Sequence, residues 1–274
     1  MSAFVRLQNL LPQHGISRAA GALAASEGWV RGPLIRAFAR AYGIDMSQAE
    51  RPDLASYRSF NDFFSRALAP GARPIGDGVV SPADGAVSQT GTIQDGQLIQ
   101  AKGVRYSFSA LADACASPAF EGGAFVTIYL SPSDYHRVHL PLAGRLVRTV
   151  AVPGALFSVN AQTEAGVEGL FAVNERLVME FETAAGRMLV VMVGAMIVAS
   201  IETVWDGPAS PYRETTVTEH DLAFETGAEI GRFLLGSSVV LAFEPGVTLD
   251  PSLAAGTVLR MGASIGTLPS PLSA

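Results

Sequence analysis

From Val79 onward the chain is built of short β-branched runs cut by turn residues, and this pattern restricts the fold more than any other feature. The runs are Val79–Val80, Ala124–Leu130, Leu146–Val152, Leu177–Phe181, Met188–Val193, Met196–Ile201 and Val239–Phe243, with Gly, Pro, Asp and Asn between them. No long helical pattern intervenes, so local hairpins and a β-rich, mainly antiparallel core are expected rather than a parallel α/β sheet. One interruption stands apart. Gly236-Ser237-Ser238 divides two apolar runs, Phe233-Leu234-Leu235 and Val239-Val240-Leu241. Glycine weakens a strand and two hydroxyls need partners there, so the interruption calls for a reason beyond the fold.

The first 44 residues read as helical, which makes the expected class α+β with amphipathic N-terminal helices on the β core. Ser17 is positioned to cap a helix through Ala19-Ala20 and Leu23. Pro33 suits the first turn of a second helix, in which Leu34, Ile35, Phe38 and Tyr42 share one face. Arg36 and Arg40 lie on another face, and Trp29 just precedes the helix. Arg6, Arg18, Arg31, Arg36 and Arg40 against Glu27 give this segment about +4, which leaves about −10 for the rest of a chain whose net charge is −6. Two readings fit: a helical hairpin packed on the core, or an interfacial segment with Trp at the headgroup level and Arg near anionic lipid. A short helix is expected around Phe60–Arg66. The division is therefore 1–45, helical, and 46–274, β-rich.

Composition excludes several classes. The chain is 49% hydrophobic and 16% charged with mean hydropathy +0.29, too apolar for disorder. A negative net charge offers no basis for nucleic-acid binding. The single cysteine, Cys115, rules out an internal disulfide and reads as a buried inert thiol. Met188 to Ile201 has only 14 residues between Arg187 and Glu202, short of the roughly 20 needed to span a bilayer. It reads instead as two buried strands bent at Gly194. No basic start followed by an apolar run marks a cleaved signal peptide.

Polar chemistry concentrates in Ser131-Pro132-Ser133-Asp134-Tyr135-His136-Arg137-Val138-His139-Leu140-Pro141. With Ser131 capping a helical turn, His136 and His139 fall on one face, with Asp134 near enough to orient one as a general base. Surface or core histidines are the plain alternative. A zinc site is not indicated, because His14, His220 and Cys115 show no metal-ligand spacing. Asp84, in the Ser81-Pro82-Ala83-Asp84-Gly85 turn, is either a structural turn residue or a catalytic one. Ser237 lacks the G-x-S-x-G frame of a nucleophile elbow, yet Ser237, His139 and Asp84 or Asp134 could form a nucleophile–base–acid set.

Taken together, the segments resemble the bacterial membrane-associated phosphatidylserine decarboxylases. The matching stretches are YRSFNDFF (57–64), RPI (73–75), SPADG (81–85), QAKG with Tyr106-Ser107 (100–107) and LSPSDYHRVHLP (130–141). They continue with PGALFSVN (153–160), NERLVMEF (174–181), VGAMIVASIETVW (193–205), GAEIGRF (227–233) and LGSS (235–238). The resemblance implies a proenzyme that cuts itself between Gly236 and Ser237 into a β chain, 1–236, and an α chain, 237–274. It implies that Ser237 becomes a pyruvoyl group, the covalent cofactor, which forms a Schiff base with phosphatidylserine and releases phosphatidylethanolamine and CO₂, without metal or PLP. His139 oriented by Asp84 is the implied charge relay, with Asp134 assisting. His136 is the implied proton donor to the substrate carbon, and Ser158 a weaker substrate-side candidate. A peripheral place on the cytoplasmic face of the cell membrane follows, as do a lipid substrate and a dimer of α/β heterodimers. Two other readings stay open: a pyruvoyl enzyme for a soluble amino acid, and a lipid-binding relative that never matures. One letter departs from the family pattern, Ser238 where LGST has Thr.

Overall fold

The computed structural model describes residue 8 and residues 11–100, 103–195, 201–209, 212–234 and 237–268. Three helices matter for the site: α1 (Gln13–Ala25), α2 (Arg31–Tyr42) and α3 (Phe60–Phe64). Ser17 does not cap α1. It is buried inside the helix, which starts four residues earlier, after Pro12. Pro33 lies in the first turn of α2, and Gly43 ends that helix at φ +59°, a left-handed conformation that favours glycine. Ser59 caps α3 by accepting from the Asp62 amide. Ile35 of α2 is buried with Tyr57, Phe60, Phe63 and Phe64, and Leu34 and Phe38 pack on them. Most of the apolar face of α2 therefore covers α3. Trp29 stays 88% exposed, as do Leu23 and Tyr42 to a lesser degree.

The remaining chain is β. It forms β1 (Val79–Val80), β2 (Gly85–Thr92), β3 (Gln97–Ile99), β4 (Arg105–Ser107), β5 (Ala124–Leu130) and β6 (Arg137–His139). Next come β7 (Gly144–Val152), β8 (Arg176–Thr183), β9 (Gly186–Val193), β10 (Ile201–Thr203), β11 (Gly207–Ala209) and β12 (Thr216–Phe224). The last are β13 (Glu229–Phe233), β14 (Ser237–Phe243), β15 (Thr248–Leu249), β16 (Val258–Leu259) and β17 (Ser264–Thr267). The expected Met196–Ile201 strand falls largely outside the described residues; Ile201 opens β10.

Eight strands make the main sheet, in the order β12-β7-β8-β9-β14-β5-β2-β16, and every pair between named strands is antiparallel. Its centre is apolar on both faces, which is why its strands read as continuous hydrophobic runs instead of alternating ones. Side chains of a strand alternate between faces. Val126, Ile128, Leu130, Met188, Val190, Met192, Val239, Leu241 and Phe243 accordingly fill one core cluster. Phe125, Leu189, Val191, Val193, Val240 and Ala242 fill the other. A four-stranded sheet, β11-β10-β13-β6, and a three-stranded one, β1-β17-β15, complete the scaffold beside a β3-β4 hairpin.

Two chain crossings position the site. Gly85 lets β2 run against β5, because a Cβ there would sit 2.4 Å from the Tyr129 carbonyl oxygen. Asn174 ties three segments together: its Nδ2 donates to the Phe157 and Gly194 carbonyls, and its Oδ1 accepts from the Phe157 amide.

Candidate active site

SPADG, YHRVHLP and GAEIGRF converge through the backbone. The His139 amide donates to the Pro82 carbonyl (2.8 Å) and the Val80 amide to the Pro141 carbonyl (2.9 Å). β6 then pairs with β13, with Arg137 opposite Arg232.

The Ser131–His136 stretch is a turn, not the expected helical one. The Asp134 carboxylate accepts from the Ser131 amide (2.7 Å), and the Asp134 amide donates back to the Ser131 carbonyl (2.9 Å). Arg66 draws the Ser133 and Asp134 carbonyls to its guanidinium. These local bonds compete with helical pairing, and β6 takes the chain from Arg137 on. Asp134 thus shapes the turn and bonds neither histidine. His136 and His139 meet different neighbours, as an odd spacing in near-extended backbone leads one to expect.

His136 is fully buried, with its ring stacked on Phe64 at 3.9 Å between centroids. Neither ring nitrogen has a hydrogen-bond partner among the described residues. Burial, with the Arg66 charge nearby, pushes its pKa down to about 3, although the Ser131 and Pro132 backbone pulls the other way. His139 is also buried, and burial holds its pKa below the ordinary value. Its Nδ1 lies 2.8 Å from the Gly227 carbonyl oxygen and its Nε2 lies 2.9 Å from the Tyr135 hydroxyl.

Asp84 is not bonded to His139. Its carboxylate accepts from Arg73 Nε (3.0 Å) and Nη2 (2.5 Å), Arg260 Nη1 (2.9 Å) and the Met261 amide (2.8 Å). Burial alone would raise the Asp84 pKa. The donors from Arg73, Met261 and Arg260 overcome it and keep the carboxyl below its ordinary value. The orienting contact expected from Asp84 is replaced by Gly227 and Tyr135, because two guanidiniums and an amide already take up the carboxylate. Its negative charge still reaches His139 through space. A polar cavity of about 230 Å³ opens here, lined by Arg66, Arg73, Asp84, Tyr135 and Arg260 among others.

Ser237 opens β14 opposite Leu130, the last residue of β5. Gly236 and the Ser237 side chain lie outside the described residues. Ser238 is buried, its backbone paired with Val193 and Tyr129, and its Oγ has no partner among the described residues. Ser158 bonds Thr163 through its hydroxyl (2.6 Å), and its amide donates to Gln8 Oε1 (2.9 Å). The neighbouring Leu156 amide donates to Gln13 Oε1, so the PGALFSVN loop is tied to the N-terminal segment. Sequence reading missed Tyr135, Arg66, Arg73, Arg260 and Gly227. Arg73, Tyr135 and Gly227 sit inside quoted motifs, but nothing in the sequence marks Arg260 as a partner of Asp84. Among the described residues, no three His, Cys, Asp or Glu side chains gather as a set that could hold a metal ion.

Known proteins match this chain over nearly all of its length. A family model described as phosphatidylserine decarboxylase matches residues 60–267, and a second, described as PSD, matches residues 3–43. The phosphatidylserine decarboxylase proenzyme of Acinetobacter baylyi is 46% identical over 274 residues, covering 98% of this chain and 96% of the relative. That of Acidovorax ebreus is 50% identical over 268 residues, covering 94% and 95%. That of Methylibium petroleiphilum is 48% identical over 275 residues, covering 97% of each. With the β core and its buried histidines inside these matches, the chain is an enzyme of the carboxy-lyase class. It belongs to the phosphatidylserine decarboxylase family.

Proposed function

We propose that this chain is a proenzyme that cuts itself between Gly236 and Ser237 and then converts phosphatidylserine to phosphatidylethanolamine and CO₂. The observation that carries this reading is how the segment around that bond is anchored. Ser237 pairs with Leu130, and the Phe233 amide donates to the His136 carbonyl, so both ends of segment 234–236 are pinned to the stretch bearing the two histidines.

In the cut, His139 takes the proton of Ser237 Oγ as that oxygen attacks the Gly236 carbonyl carbon. Gly236 has no Cβ to obstruct the approach. The amide becomes an ester, loss of the Ser237 α-proton expels the Gly236 carboxylate, and water removes the nitrogen as ammonia. The products are a β chain, 1–236, and an α chain, 237–274, headed by a pyruvoyl group. Asp84 acts as the fixed negative charge that favours the imidazolium forming on His139, and Asp134 holds the turn that presents both histidines.

The residues present fit a pyruvoyl group. β14 holds the new chain end between β5 and β9, and His136 offers two buried ring nitrogens with no partner among the described residues. That group, once made, supplies an electrophilic carbonyl for the substrate amine and a sink for the electrons left by CO₂. His136 delivers the proton to the substrate carbon. It is neutral in the uncut chain, and a neighbouring anionic substrate favours its charged, proton-donating form. The loop carrying Ser158 is the candidate substrate-side segment.

Residues 1–45 form the membrane-associating part and 46–274 the catalytic part of a peripheral enzyme on the cytoplasmic face. Intact mass spectrometry tests the scheme: two chains split after Gly236 are expected, the smaller one lighter by one ammonia than its sequence. A single chain of about 28.6 kDa overturns it.

A further inference from the structure

The two contacts of the His139 ring define its protonation. A carbonyl oxygen only accepts, so the Gly227 contact requires hydrogen on Nδ1. In a neutral ring Nε2 is then the bare, basic nitrogen, and the Tyr135 hydroxyl must be the donor to it. Tyr135 is itself buried, and its hydroxyl makes no other hydrogen bond among the described residues. Its hydroxyl stays protonated, because burial raises its pKa above the ordinary value. The base that should accept the Ser237 proton therefore has its lone pair occupied in the uncut chain.

We propose that Tyr135 is a positioning residue for the self-cleavage, holding His139 with Nε2 as its basic atom and releasing that nitrogen to the Ser237 hydroxyl when the cut begins. At that moment the Tyr135 O–H···Nε2 contact opens and the Ser237 Oγ–H proton passes to Nε2. The electron pair of that O–H bond forms the new bond to the Gly236 carbonyl carbon, whose π pair moves onto its oxygen. Tyr135 keeps its own proton throughout. This rests on the reading of His139 as the base.

Donation into the lone pair stabilises the neutral ring, so Tyr135 works with burial to keep His139 ready to accept. Other groups facing the ring are Glu229 on β13, Arg137 on its own strand and Asp84 on the turn after β1; Arg73 faces Tyr135 as well. Those charges are unchanged by the substitutions below.

The test is the His139 titration, followed by NMR in full-length chain carrying Ser237→Ala, which cannot cut itself. Tyr135→Phe removes the donor and is expected to raise the His139 pKa by about half a unit, the size of one ordinary neutral hydrogen bond. 3-Fluorotyrosine at position 135 keeps the ring and strengthens the donor, and is expected to move the pKa the opposite way. With Ser237 restored, the acid limb of the cleavage rate should follow both shifts, measured on freshly synthesised chain transferred to buffers of different pH. Unchanged titration in both variants, or shifts of the same sign, overturns the proposal. If the Phe variant does not fold, the fluorotyrosine arm decides alone. His139→Ala separates the two readings: a chain that still cuts itself overturns His139 as base, whereas a blocked chain with unmoved Tyr135 titrations overturns only the role of Tyr135.

Discussion

Asp84 shows how far single residues were legible. Its position in a tight Asp-Gly turn marked it as either structural or catalytic, and the structure supplies the detail that a turn motif cannot. Three residues donate four hydrogen bonds to it, one of them Arg260, 176 residues away. Such a long-range partner leaves no local trace in sequence. His136 and His139 stood out because two of four histidines share one short stretch, but their rings were expected on one helical face. That expectation failed where the Asp134 and Arg66 hydrogen bonds hold the backbone out of a helix. Asp84→Asn leaves Arg73 buried without its countercharge. It should cost the uncut Ser237→Ala chain about 3–5 kcal/mol in urea unfolding, the usual cost of breaking a buried pair from one side. A loss within 1 kcal/mol, the range of surface pairs, would count against the pairing as drawn. His136 makes a second prediction. Its folded pKa of about 3 lies below the ordinary 6.5, so the unfolded chain binds its proton more readily. Its contribution to stability is complete above about pH 6.5 and is lost as pH falls toward 3; His139 acts in the same direction. In the uncut chain, the drop in stability from pH 7 to 5 should shrink in His136→Leu. An unchanged slope would mean the ring is solvated.

At the scale of elements, strands buried on both faces were the easy ones. Ala124–Leu130 agrees end to end with β5, and the Leu177, Met188 and Val239 runs form the cores of β8, β9 and β14. Sequence reading passed over β2, which mixes glycine and hydroxyl residues, and β12, an edge strand whose residues are mostly exposed. Neither buries enough apolar surface to show a period. The order of strands was not readable either, because β14 reaches its neighbours β5 and β9 across long stretches of sequence. That placement explains how a 38-residue α chain, 237–274, would stay attached after a cut. β14 bonds to β-chain strands on both sides, and β16 and β17 add pairs with β2 and β1. The two chains should co-elute in native size-exclusion chromatography and separate only in denaturant. Leu241→Ala, at a fully buried position in this strand, should lower stability by about 2–5 kcal/mol by leaving a cavity between the flanking strands. A cost below about 1 kcal/mol would imply that the strand centre can collapse. Nothing in the structure explains serine in place of threonine at Ser238, whose Oγ has no partner among the described residues.

Over the whole molecule, the charge asymmetry and the N-terminal helices bear on how a lipid substrate is reached. The two sequence readings of residues 1–45 divide the surface between them. Leu34, Ile35 and Phe38 face the aromatic cluster, as a packed hairpin would have them, and Phe64 of that cluster stacks on His136. The helices are thus continuous with the candidate site. Trp29, Leu23 and Tyr42 remain outward, and Arg18, Arg36 and Arg40 are exposed. No helix among the described residues is long and apolar enough to cross a membrane. A basic surface is attracted to anionic lipid by about 1 kcal/mol per arginine. Replacing Arg36 and Arg40 by Gln should therefore weaken binding to phosphatidylserine vesicles by about 30-fold, since about 2 kcal/mol is removed and each 1.4 kcal/mol is tenfold. The measurement is vesicle co-sedimentation at low salt, with parallel urea unfolding to establish that the variant is folded. Trp29 fluorescence should shift to the blue on parent binding as the indole enters the headgroup layer. Raising salt should weaken binding of the parent protein more than that of the variant, because two of the exposed basic charges that salt screens are gone from the variant. Equal binding of parent and variant, or equal binding to neutral phosphatidylcholine vesicles, would show that the arginines simply face solvent. The route for lipid would then have to lie on another face of the β core.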